Sequence, residues 1–190
     1  MTESNEINLF NYSLKNQLRQ LESEFGNISL EIRKIAFDWE EKLRELPEEV
    51  IVARLNRQGR NIKQIIGHLI DSASNNHQRM VRLQYTSNLI FPDYTRENDM
   101  WISIQHHQQE NWYEMLQLWK FFNLHIAHII SHTDRSWLNN EWSDGKRDPI
   151  SLKAVIFEYI AHLTLHINEI SALMKSHIAV DQETEVVNEE

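Results

Sequence analysis

Apolar residues recur along this chain at three- and four-residue intervals, which is how one face of an α-helix is marked in sequence. Phe10, Leu14, Leu18, Leu21 and Phe25 trace such a face from Leu9 onward, and Ile32, Ile35, Ala36, Trp39 and Leu43 trace another, with Pro47 beyond it. Gly26-Asn27 between the two runs reads as a stop or a kink, with Ser29 as an N-cap for the second run. Residues 47–60 read as a loop or a short turn of helix. Asn61 then caps a helix over about 62–86, whose face of Ile62, Ile65, Ile66, Leu69, Ala73, Met80, Val81 and Leu83 lies beside a polar stripe of His68, Asp71, Ser72, Asn75 and Arg79. Periodicity breaks over 87–102, where Phe91-Pro92-Asp93-Tyr94 suggests a long crossover whose aromatics cover part of the core. It resumes over about 103–133, with Trp112, Met115, Leu118, Trp119, Phe122, Ile126, Ile129 and Ile130 as core positions. A polar connection, Asp134 to Asp148, leads to Pro149, a residue tolerated in a helix's first turn, and to a last helix over about 150–176.

The expectation is an all-α protein: a four-helix bundle over 29–178, with a long crossover between helices two and three. An extra N-terminal helical segment covers 1–28, and an acidic, disordered tail covers 179–190. Composition supports it, since 190 residues include only 4 Gly and 3 Pro. No cysteine is present, which excludes disulfides, thiolate metal sites and a cysteine nucleophile. A net charge of −9 with no block of Lys or Arg disfavours nucleic-acid contact. The opening MTESNEINLF lacks signal-peptide character, and no apolar run reaches membrane-spanning length, so a cytoplasmic location is expected.

The unusual feature is 10 histidines, none of them before His68. His162 and His166 lie four apart in an otherwise apolar run, so on a helix their Cβ atoms stack roughly 5–6 Å apart on one face. Such a pair is either two core imidazoles satisfied by hydrogen bonds or two ligands of a divalent metal. His128 and His132 repeat the spacing and make a second two-histidine candidate. Helical phase, taken from Leu118, Phe122 and Ile129, points His125 and His132 inward and His128 to the flank, so His125 is expected to line the cavity of the His162 pair. His106 and His107 point about 100° apart and read as surface residues. His68 is the natural third ligand: it follows Gly67, which leaves room beside the backbone, and precedes Asp71 by one turn. Three imidazoles bind Zn²⁺, Ni²⁺, Cu²⁺ or Fe²⁺ and leave coordination positions open.

The segment Gln64-Ile65-Ile66-Gly67-His68-Leu69-Ile70-Asp71-Ser72, together with Tyr159-Ile160-Ala161-His162 and His166-Ile167, resembles the HxxDS helix and closing histidine motif of the DinB/YfiT-like superfamily. The resemblance spans about 29–176 and implies a four-helix bundle holding a divalent metal (Zn, Ni or Fe) on His68, His162 and His166. It departs from YfiT-like sequences at Leu163, Thr164, Leu165, Asn168 and Glu169, where additional histidines are often found. It further implies transfer of a low-molecular-weight thiol, ionised at the metal's open position, to an electrophilic small-molecule substrate. Asp71 would accept a hydrogen bond from a ligand imidazole, Asn75 and Arg79 would meet a carboxylate of the thiol, and Tyr159 and His125 would line the pocket. One alternative is a hydrolase using metal-bound hydroxide with Glu169 as general base. Another is a non-catalytic metal-binding stress or interaction protein. A homodimer packed through bundle helices suits any of them. Ferritin-like chemistry is disfavoured, because Glu-x2-His motifs are missing.

Overall fold

The computed structural model describes the backbone of residues 3–53 and 55–187 and the side chains of 24–53 and 55–175. Helix α1, Glu3–Arg44, passes through Gly26-Asn27 without a break. Ser29 therefore sits inside a helix and caps nothing; its Oγ donates to the Ala127 carbonyl at 2.8 Å and ties α1 to the third bundle helix. After a short α2, Glu48–Ala53, helix α3 covers Ile62–Leu83. Asn61 starts α3 with a capping box: its side chain accepts from the Gln64 amide while the Gln64 side chain accepts from the Asn61 amide, satisfying two donors a helix start would otherwise leave open.

The crossover is more ordered than its sequence suggests. It contains β1, Asn88–Ile90, and α4, Asn98–Ile104, with 3-10 turns at Thr95–Glu97 and His107–Gln109. The single long helix expected over 103–133 is two elements. His106 adopts a left-handed conformation, φ 53°, that ends the α4 segment, and α5 begins only at Trp112 and runs to His132 under an Asn111 cap. β2, Glu141–Ser143, and β3, Ile150–Ser151, precede α6, Leu152–Val187. The strands order as β1-β2-β3, parallel then antiparallel, with Trp142 opposite both Leu89 and Ile150. Residues 179–187, where the sequence suggested a disordered tail, continue the α6 backbone, and 188–190 lie outside the described residues.

Helices α1, α3, α5 and α6 form the bundle. α5 packs on α1 and α3, α3 packs on α6, and Phe25 meets Phe157 to bring α1 against α6. The core face of α5 is Met115, Leu116, Trp119, Asn123, Ile126, Ala127 and Ile130. This corrects the expected phase: Leu118 is 49% exposed, and His125 and His132 are exposed with it. α5 carries apolar residues around most of its circumference, so the sequence offers several stripes and burial selects one. Among the described residues, no helix is long and apolar enough to cross a membrane.

Candidate metal centre

α3 contributes His68 and α6 contributes His162 and His166, and one ligand nitrogen from each falls within 4.8 Å of the others. The Nε2 of His162 lies 3.2 Å from that of His68 and 3.1 Å from that of His166. Tetrahedral coordination at ordinary Zn–N lengths requires nitrogens roughly 3.3–3.4 Å apart, so these separations fit one divalent ion.

Hydrogen bonding orients two of the rings. The His166 Nδ1 meets the Glu169 carboxylate at 2.9 Å, and since an ionised carboxylate only accepts, Nδ1 carries the proton and Nε2 presents a lone pair. The His162 Nδ1 lies 3.3 Å from the Ser72 hydroxyl. The His68 Nδ1 has no hydrogen-bond partner. Three Nε2 atoms at such spacing cannot all be satisfied by protons, because a proton on His162 Nε2 serves one neighbour and leaves the other facing it. A cation satisfies all three. Burial, reinforced by the neighbouring imidazoles, lowers the pKa of His68 to about 2 and that of His162 to about 4, which keeps both rings neutral as ligands.

A cavity of about 130 Å³ opens beside His68 and His162. Tyr94 forms part of its wall, with its ring 6.1 Å from that of His68, and burial raises its hydroxyl pKa so that it stays a donor. The crossover aromatic expected to cover the core is therefore a wall of the site. Tyr159 lines the cavity as expected and donates to Asn123 Oδ1 at 2.6 Å. Arg79 lines it too. Its Nη2 donates to Asp93 at 2.8 Å, its guanidinium lies 3.6 Å from the Trp142 ring centroid, and its buried Nε has no hydrogen-bond partner. Arg147 also stacks on Trp142, at 4.3 Å, and approaches the other Asp93 oxygen at 3.5 Å.

Other expected site residues lie elsewhere. Asp71 is bound through both oxygens by Gln105 Nε2, at 2.9 Å each, and sits 3.8 Å from His107 Nε2; no bond joins it to a metal-facing imidazole. Glu169 orients His166 and accepts from Asn56 Nδ2 at 3.1 Å, outside the cavity wall, so it is not positioned as a general base. Asn75 turns toward the Pro92 carbonyl and its neighbour Asn76 lines the cavity instead. His125 is on the outer face of α5. His107, expected at the surface, is 4% exposed. It occupies the space Gly67 leaves open: a Cβ at Gly67 would come within 2.3 Å of the His107 ring.

Sequence reading missed Asp93, Arg147, Glu158 and Trp142. All except Trp142, which stacks on Arg147, line the cavity; Asp93, Trp142 and Arg147 lie on the crossover or the α5–α6 connection, where no periodic signal marks them, and Glu158 lies on α6. Ser72 was visible in the polar stripe but had no partner until His162 was set against it.

Fold and site together define a four-helix bundle with an open three-histidine cluster between two of its helices. The fold is that of YfiT from Bacillus subtilis, a solved structure described as a probable metal-dependent hydrolase with an unusual four-helix bundle topology; the TM-score is 0.70 at 13% identity, covering 82% of this chain and 87% of that one. No family model and no curated protein matches the chain.

Proposed function

We propose that this protein is a metal-dependent enzyme acting on a small anionic substrate, with His68, His162 and His166 as the metal ligands. The observation that carries this reading is the convergence of three Nε2 atoms beside a cavity that also presents Arg79 and Arg147. A divalent cation bound there would act as a Lewis acid and favour ionisation of a nucleophile. The chain's own groups do the rest: Glu169 and Ser72 orient imidazoles, Arg79 and Arg147 attract a carboxylate or similar anion, and Tyr94 offers a hydroxyl donor.

Thiol transfer is the favoured reaction. The acid expected to serve as a base, Glu169, is occupied by His166 and Asn56, and a thiol ionises far more readily than water, so it needs no protein base. With no cysteine in the chain, the thiol is a cosubstrate. Hydrolysis is the second reading, and one observation favours it: Glu158 lines the cavity with a side chain 63% exposed, a carboxylate that no histidine engages and whose Oε2 lies 3.8 Å from Arg147 Nη2.

Metal analysis of the purified protein and of His162→Ala tests the ligand assignment; equal metal content in both would refute it. Metal-loaded protein is then assayed with an electrophilic acceptor plus assorted low-molecular-weight thiols, and separately with esters and amides without thiol. Thiol-dependent turnover supports transfer, and thiol-independent turnover lost in Glu158→Gln supports hydrolysis. Metal binding without either would assign a non-catalytic role.

A further inference from the structure

The histidines that α5 turns away from the core form a cluster of their own. His125, His128 and His132 occupy positions i, i+3 and i+7, all exposed, so they share one stripe of the helix. The rings of His128 and His132 are 4.2 Å apart by centroid, and those of His125 and His128 are stacked at 6.5 Å with 15° between their planes. His77 reaches across from α3, its ring 5.3 Å from that of His125.

His132 is set up as a ligand. Its Nδ1 lies 2.8 Å from the His128 carbonyl, an acceptor, so the proton sits on Nδ1 and the lone pair on Nε2. The Ser131 hydroxyl is 3.0 Å from the same nitrogen and itself donates to that carbonyl. A backbone carbonyl fixing one ring nitrogen so that the other can coordinate is the usual support of a metal-bound histidine. Among the described residues, no hydrogen bond engages the ring nitrogens of His128, which leaves it able to turn toward His132.

We propose that His128 and His132 form a second divalent transition-metal site on the outer face of α5, distinct from the buried triad and independent of the function assigned to it. Two imidazoles leave the remaining positions to water, and the ligand set favours Cu²⁺ over Ni²⁺ and Zn²⁺. His125 lies one turn away and extends the nitrogen-rich stripe toward α3.

The test is a Cu²⁺ titration at neutral pH followed by electron paramagnetic resonance, using His162→Ala/His166→Ala protein so that the triad is silent. One equivalent bound with imidazole-nitrogen couplings is expected. Adding His132→Ala should weaken it by roughly a hundredfold, the scale on which a chelate exceeds a single ligand, while His106→Ala should leave it unchanged. Equal binding with and without His132 would overturn the proposal. If the triad double variant does not fold, the full-length wild type serves instead. Its stoichiometry should then fall by one ion in His128→Ala/His132→Ala, whose exposed positions leave the thermal midpoint unchanged, and an unaltered stoichiometry would again refute the site.

Discussion

Glu169 separates two roles that a carboxylate beside a metal centre can play. Its Oε2 accepts the His166 Nδ1 proton at 2.9 Å and is itself held by Asn56 at 3.1 Å. Replacing it by alanine removes the acceptor, frees the His166 ring to rotate or change tautomer, and leaves a buried Nδ1–H without a partner. Loss of such an outer partner costs about 10- to 100-fold in metal affinity, equivalent to about 1.4–2.7 kcal/mol. Competition of the purified protein against a chelator of known affinity should therefore place Glu169→Ala in that range below wild type, with His166→Ala weaker still. Glu169→Gln retains an oxygen acceptor and should recover most of the loss. An unchanged affinity in Glu169→Ala, accompanied by lost turnover, would refute the orienting role and restore this residue as a general base.

Gly67→Ala places a Cβ 2.3 Å from the His107 ring. It should destabilise the fold by about 1–3 kcal/mol, the usual cost of overpacking, even though alanine favours helix by about 1 kcal/mol; denaturant unfolding reads the sum. Glu40 is buried against Lys120 at 2.8 Å and Gln117 at 3.0 Å, and the Lys120 contact leads in holding its pKa below 4.5. Its contribution is therefore complete above the ordinary carboxylate range and is lost as pH falls through the lower folded value. The stability gap between wild type and Glu40→Gln should narrow as pH falls below the ordinary carboxylate range, and a gap that stays constant on acidification would refute this. Arg147→Gln should raise KM for an anionic substrate by about tenfold with kcat little changed, as expected for loss of one uniform charge-assisted contact. The same increase for a neutral analogue would show that Arg147 acts on the cavity's shape and not through charge.

Legibility in the sequence followed the local geometry of each feature. The His162/His166 pair is separated by one helical turn, so spacing alone put both rings on one face, and the polar stripe of α3 marked His68. The phase of α5 was not legible in the same way. Leu118 and Phe121 are exposed among residues as apolar as those buried, so the sequence carries two plausible inward stripes, and the wrong one brought His125 into the cavity. The break at His106 has no glycine or proline to announce it, because a histidine there takes the left-handed conformation. Strands of two or three residues cannot show an alternating pattern, which is why the sheet carrying Trp142 went unseen. Glu169 follows His166 by three residues and so shares its helical face in sequence, but only distances reveal that it faces His166 and not the cavity.

The parallel pairing of β1 with β2 joins the crossover to the α5–α6 connection, segments some fifty residues apart in the chain. Trp142, buried at that seam, has its indole N–H fixed on the Phe91 carbonyl at 2.8 Å and holds Arg79 and Arg147 against its ring. Under the proposed function, metal binding would fall to the helices and much of substrate discrimination to two stitched loops. On that reading, selection could rewrite Asp93, Tyr94 or Arg147 to change what enters without disturbing His68, His162 or His166, so a bundle of this kind would keep its reactive centre while changing its diet.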